Sequence, residues 1–286
     1  MDLDTGIVSH AFDRAVALEP LAPGAAGAPR RFRGHTSAEY ANMVGPFGGI
    51  TAAQALQAVM LHPDRLGDPV AFTGNFAAAL ADGAFTAEAQ PVRTNRSTQH
   101  WVATVHQPDA AGQDVVVFTA TVVTAVRRQT WSATDLAMPA APAVDAVPRL
   151  PPNRRVAWFN RYDMRVFEGP LPREWNGAET PGSETGLWVR DDPPRPLDFA
   201  SLTALCDAFY PRVWLRRATL TPIGTISFTV YFHVDAAALA ATGCGHLLAQ
   251  ARGQRFFNGY FDQSGALWSA GGPLLATTHQ LVYFKE

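Results

Sequence analysis

Two side chains in this sequence are of a different kind from their surroundings, and both could handle a proton or a water molecule. In "LTALCDAFYP", residues 202 to 211, Leu202, Leu205, Cys206 and Phe209 fall at i, i+3, i+4 and i+7, one apolar helix face. The other side carries Ala200, Thr203, Ala204 and Ala208, small rather than charged. The spacing predicts a helix from Phe199 to Tyr210, enclosed on all sides, with Asp207 as its one carboxylate. Burying an ionised carboxylate without partners costs several kcal/mol, so the fold must hydrogen-bond it or let it protonate. Asp198 is far better placed as the helix N-cap. What remains for Asp207 is exposure at a helix edge, or a role as a base or water-orienting carboxylate lining a cleft. Gln280 is the second such residue. In the last strand-like run it alternates with Ala276, Thr278, Val282 and Phe284, the apolar-leaning side, while His279 points the other way. A buried amide wants up to four hydrogen bonds, from local backbone or from a site.

A third position is ambiguous. In "TISFTVYFH" Ile226, Phe228, Val230 and Phe232 alternate with Ser227, Thr229, Tyr231 and His233, a strand with one apolar and one polar face. Strict alternation puts Thr225 on the polar face, away from the enclosed helix. Gly224 can bend the start of that strand, and the polar face can abut the other half of the chain or another subunit. "GPFGGIT" opens an earlier helical run. Gly48 and Gly49 expose backbone N–H groups there and permit close approach, which suits a developing anion as well as an ordinary turn into a helix.

The elements that must position these residues repeat. An apolar helical run, 48 to 61, precedes strand-like runs at about 69 to 78, 84 to 92, 98 to 107 and 114 to 126. A stretch rich in Ala and Pro, 132 to 153, reads as a linker. The second half has strand-like runs at 156 to 169 and 186 to 191, then the helix with Asp207. Further strand-like runs follow at 224 to 234, 245 to 254, 255 to 262 and 274 to 284. "HWVATVHQPDAAGQDVVVFTATVVTAV" and "RFFNGYFDQSGALWSAGGPLLATTHQLVYF", about 155 residues apart, share an aromatic strand, a polar turn with Gly and a long final strand. Thr124 falls where Gln280 stands in that echo, and the first helix has no acid, so one site per chain is expected. Two α+β halves follow, each a curved antiparallel sheet around one helix: 1–131, a linker at 132–153, and 154–286.

Four segments in order, "FGGITAAQALQAV" after "NMVGP", "LTALCDAFYP", "GTISFTVYFH" and "LLATTHQLVYF", resemble the double-hotdog type II acyl-CoA thioesterases over roughly residues 35 to 285. The resemblance implies an α+β double hotdog and an Asp/Thr/Gln set, Asp207, Thr225 and Gln280, that holds water against an acyl-CoA thioester. No serine or cysteine nucleophile is then needed, because a thioester carbonyl is electrophilic enough for positioned water. Gly48 and Gly49 would face the developing oxyanion. Arg93 and Arg96, flanking the turn in "PVRTNRSTQ", could meet CoA phosphates or could simply be solvated. Dimers or larger assemblies are implied as well. Two rivals stay open: a hotdog hydratase or dehydratase, which would want a His beside the helix-leading Asp, and a silent acyl-CoA or lipid-binding protein.

The 286 residues are 47% hydrophobic and 17% charged, enough for a large core, and the net charge of −2 makes no case for nucleic acid or an anionic membrane. No run approaches the ~18 apolar residues of a membrane span. The acidic first twenty residues read against a signal peptide. Cys206 and Cys244, both in apolar surroundings, are too few for a disulfide framework or a zinc site. No HExxH, GxSxG or glycine-rich phosphate loop occurs. A protein of the reducing cytoplasm without metal or cofactor is expected.

Overall fold

The computed structural model describes residues 9–24 and 28–286; the first eight residues of the acidic N-terminal stretch lie outside it. The first half comprises α1 (Ala11–Ala15), β1 (Glu19–Pro20), β2 (Arg30–His35), α2 (Gly48–Met60), β3 (Asp68–Phe76), β4 (Ala84–Thr94), β5 (Thr98–Pro108) and β6 (Asp114–Ala125). The second comprises β7 (Tyr162–Glu168), β8 (Thr185–Asp191), α3 (Phe199–Leu205), α4 (Arg212–Arg217), β9 (Ile223–Phe232) and α5 (Ala236–Thr242). β10 (Leu247–Arg252), β11 (Phe256–Phe257), β12 (Tyr260–Ser269) and β13 (Leu274–Phe284) complete it. The strands join in one antiparallel sheet, ordered β1-β2-β4-β5-β6-β3-β9-β13-β12-β10-β8-β7, with β11 beside β12. The two expected sheets are therefore continuous through β3 and β9.

α2 forms because its thirteen residues are mostly Ala, Leu and Gln, strong helix formers, and Pro63 just beyond prevents continuation. Ten of them are buried, and Ile50, Leu56 and Val59 are essentially inaccessible, each contributing roughly 1.5–3 kcal/mol of burial. α3 is the corresponding helix of the second half, every residue of it buried. The two helices pack together in one core with Phe72, Trp101, Phe118, Phe228 and Leu267 of the sheet. Strand burial follows period two, as along β4, where Phe85, Ala87 and Ala89 turn inward.

The halves are related by a local pseudo-twofold. Thr73 on β3 and Thr229 on β9 are partners in the ladder, and their hydroxyls lie 3.1 Å apart. On either side Phe72 pairs with Val122 and Phe228 pairs with Gln280. The register thus places Val122, and not Thr124, in the position equivalent to Gln280. Residues 126 to 143 contain no helix or strand, yet they do not hang free. Met138, Ala141 and Val144 pack with Val147 on Trp188, Leu248, Ala266 and Trp268, and the Trp188 indole N–H donates to Pro142 O at 2.9 Å. The stretch that composition marks as a linker straps the outer face of the second half's sheet.

Candidate active site

α3 is shorter than its apolar spacing suggests. It ends at Leu205 with Cys206 as C-cap, and Asp207 lies in the following turn rather than on the helix. Asp207 N–H bonds Ala204 O, Ala208 N–H bonds Leu205 O and Phe209 N–H bonds Asp207 O, all tight-turn contacts. Pro211 bars helix continuation through the next turn. Arg212 then fastens the chain. Its guanidinium, fully buried, donates to Tyr210 O, to Ser183 O at 2.7 Å and to Thr185 Oγ1 at 2.8 Å. Burial pushes that guanidinium down to about 9. At the front of α3, Asp198 is the N-cap, as its position suggests, accepting Ser201 N–H at 2.8 Å. Ser201 Oγ donates to the buried Asp191 at 2.6 Å, tying the helix to β8.

Held this way, Asp207 reaches across to the other half. Its carboxylate faces the first turn of α2, where the Gly49 backbone N–H favours the charged form. Phe47, the N-cap of α2, offers no side-chain acceptor, and a carboxyl group more than a hundred positions away lies beside that terminus. A Cβ on Gly48 would sit 2.9 Å from Asp207 Oδ2, and one on Gly49 would sit 2.7 Å from Ala204 O. The two glycines do permit a close approach, but what approaches is the end of α3 itself. The Gly49 N–H, expected to face a substrate oxyanion, lies at this same terminus beside Asp207.

Asp207 Oδ1 accepts from Gln280 Nε2 at 2.7 Å, and Gln280 Oε1 accepts from Thr225 Oγ1 at 3.4 Å. Gln280 is buried on the inner side of β13 with Ala276, Thr278 and Val282, while His279 is exposed. Thr225 joins it because of a β-bulge: Leu281 pairs with Ser227 but Val282 with Thr225, skipping Ile226. One unpaired residue reverses the alternation and turns Thr225 onto the same face as Gln280. The polar face predicted by strict alternation is thereby corrected.

Asp207 as a whole residue keeps partial exposure, while its carboxyl group is enclosed by Gly48, Gly49 and Gln280. Burial pushes its pKa up to about 7, against the opposing pull of the Gln280 and Gly49 hydrogen bonds. Such a group changes protonation in the neutral range, as a general base or acid must. Burial also raises the Cys206 thiol well above its ordinary range, leaving it unsuited as a nucleophile, and Cys244 is exposed. Arg93 and Arg96 are not brought to this site. Both are exposed at the β4–β5 turn, and β5, β6, β3 and β9 lie between β4 and β13. Among the described residues no group of three His, Cys, Asp or Glu side chains stands ready for a metal ion. No described helix is long and apolar enough to cross a membrane.

Residues 137–284 match the model of the acyl-CoA thioesterase C-terminal domain, and residues 37–125 match that of the N-terminal domain. The chain belongs to the acyl-CoA thioesterase family. Its members are acyl-CoA thioester hydrolases, and the double-hotdog α+β fold described above is theirs. A hotdog-fold protein of unknown function from Alicyclobacillus acidocaldarius is 48% identical, with 98% of this chain and 99% of that one covered and a TM-score of 0.87. A putative thioesterase II from Thermobifida fusca shares the fold at 19% identity and a TM-score of 0.77, covering 98% and 99% of the chains. An acyl-CoA thioesterase II from Mycobacterium marinum does so at 20% identity and 0.71, covering 96% and 98%. No curated protein matches the chain.

Proposed function

We propose that this thioesterase hydrolyses a fatty acyl-CoA to free acid and CoA, with Asp207 as general base and Gln280 and Thr225 as its positioning partners. The observation that carries the reading is the 2.7 Å hydrogen bond from Gln280 to Asp207 Oδ1, completed by Thr225 across a bulged strand. Gln280 occupies Oδ1, which leaves Oδ2 for a water molecule. Gly48, with no side chain, lets that oxygen lie against the first turn of α2. The water oxygen bonds the thioester carbon while its proton passes to Asp207. The tetrahedral intermediate collapses with cleavage of the C–S bond, and the departing thiolate takes the proton back from Asp207. Thr225 acts through Gln280: by donating to Oε1 it fixes which end of the amide faces the carboxylate. No histidine contributes to the shift of Asp207, which favours hydrolysis over hydration chemistry.

A free-thiol release assay with acyl-CoAs of short, medium and long chain, wild type beside Asp207→Asn, tests this. Release that depends on Asp207 supports the assignment and ranks the chain lengths. Release that is unchanged in the variant removes Asp207 from the mechanism.

A further inference from the structure

Gln263 is the amide that the protein leaves unanswered. Of the buried glutamines, Gln54 donates to Ala15 O at 2.7 Å, and Gln99 bonds Leu66 N–H, Asp64 O and Thr94 Oγ1. Gln107 bonds Ala81 N–H, Ala81 O and Ala84 O, and Gln280 holds Asp207 and Thr225. Gln263 is 4% exposed, and among the described residues no group bonds its side chain. Neither of its amide atoms is among the fully enclosed polar atoms that lack a partner, so the amide end of this otherwise buried side chain keeps contact with solvent and can meet a ligand there.

Its place in the sheet says at what. Gln263 on β12 pairs directly with Gln280 on β13, so both side chains leave the same face, about 5 Å apart at Cβ. Thr225, Gln280 and Gln263 form a row across three adjacent strands, with Asp207 bonded to the middle member. Thr225 closes one flank; Gln263 stands open on the other. In the first half the equivalent of Gln263 is Trp101, opposite Val122, and its indole N–H is satisfied by Thr124 Oγ1 at 3.1 Å. Among the described buried glutamines, the one without a partner therefore lies in the half that carries the carboxylate.

Hydrolysis of a thioester needs an N–H donor for the carbonyl oxygen, where negative charge develops as the water adds. The Gly49 N–H lies on the Asp207 side of the α2 terminus, where it helps steady that carboxylate. We propose that Gln263 Nε2 donates that hydrogen bond and is the oxyanion-stabilising residue of the site. This rests on the thioesterase mechanism above. Gln263 exchanges no proton: it holds the carbonyl oxygen while Asp207 takes and returns the proton of the attacking water.

The test is Gln263→Leu in the full chain, with Gln263→Met as a second variant of similar length, assayed by thiol release and by melting. The expected result is a kcat lower by about 10²–10³-fold, the magnitude of losing one such donor. KM should stay within about threefold and the melting temperature should be unchanged or higher, since the substitution removes no hydrogen bond within the protein and replaces a mostly buried polar side chain by an apolar one. The pH midpoint of kcat should not move, and binding of an S-alkyl-CoA thioether, which has no carbonyl, should be retained. A kcat within threefold of wild type overturns the proposal while leaving Asp207 in place. So does a shifted pH midpoint, lost thioether binding or unfolding of both variants, each of which makes Gln263 a structural residue. A wild type that releases no thiol from any acyl-CoA removes the parent mechanism, and this proposal with it.

Discussion

Three adjacent strands in each half present equivalent positions to the helix layer, and the halves fill them in opposite ways. The second half places Thr225, Gln280 and Gln263 there; the first places Pro69, Val122 and Trp101. Even the bulge is duplicated, skipping Val70 in β3 as it skips Ile226 in β9. Backbone geometry is therefore shared, and only the side chains differ. In the first half the bulge delivers a buried proline into an apolar wall; in the second the same bulge delivers a hydroxyl to an amide. The helices divide the labour as well. α2 contributes only its N-terminus, through glycines, and the turn after α3 contributes the acid. Core and site are alternative fillings of one scaffold.

That contrast can be broken from either side. Asp207→Asn keeps the shape and an acceptor for the α2 terminus but removes the base, so kcat should fall by about 10³–10⁴-fold. Because burial holds Asp207 near 7, wild-type kcat should rise as pH increases through that value. The stability effect has the opposite sense. A carboxyl whose folded pKa is raised destabilises the fold as pH climbs from about 4 through 7, since the folded chain must then hold a poorly solvated charge. The Asn variant should thus melt above wild type at pH 8, by a wider margin than at pH 5. A lower melting temperature at pH 8 would make Asp207 chiefly a cap for α2.

Trp101→Gln, which writes the second half's residue into the first, should cost about 4 kcal/mol or more by leaving a cavity and an unpaired amide. Denaturant unfolding measures it, and a loss below 1 kcal/mol would mean the two rows are interchangeable. Gln280→Val, the reverse exchange, should lower kcat about 100-fold and move the pH midpoint upward, because the amide N–H steadies the ionised carboxylate. A pH-rate profile with an unmoved midpoint would count against the 2.7 Å bond as a tuning contact. Thr225→Val, whose hydrogen bond is the longest of the set, should cost only about tenfold in kcat, and no more than its own pair with Gln280 can supply.

Asp207 and Gln280 were legible because each is a polar residue in an apolar pattern, and such exceptions are visible without a structure. The face of Thr225 was not, because alternation assumes an unbroken ladder and one skipped residue at Ile226 reverses it. Gln263 was hidden differently. "DQSG" carries turn residues and reads as the polar turn of a hairpin, whereas β12 runs through it and turns only after Ser269. Cross-strand partners on either side supply the hydrogen bonds that local propensity would have sought in a turn. The charged strand β2, "RRFRGH", and the short helices α1, α4 and α5 offered too little periodicity to be recognised. The end of α3 was overestimated because its apolar spacing continues past the point where Asp207 leaves to meet the other half.

The joining of β3 to β9 within one polypeptide has a genetic consequence. Two identical copies paired along the same strands would carry every substitution twice, so a residue useful at one position would be imposed on its symmetry mate. In a single chain, valine and glutamine can stand at Val122 and Gln280, and glycines at the start of one helix can answer a carboxylate beyond the end of the other. Active-site titration should accordingly count one site for each chain, whatever number of chains assemble.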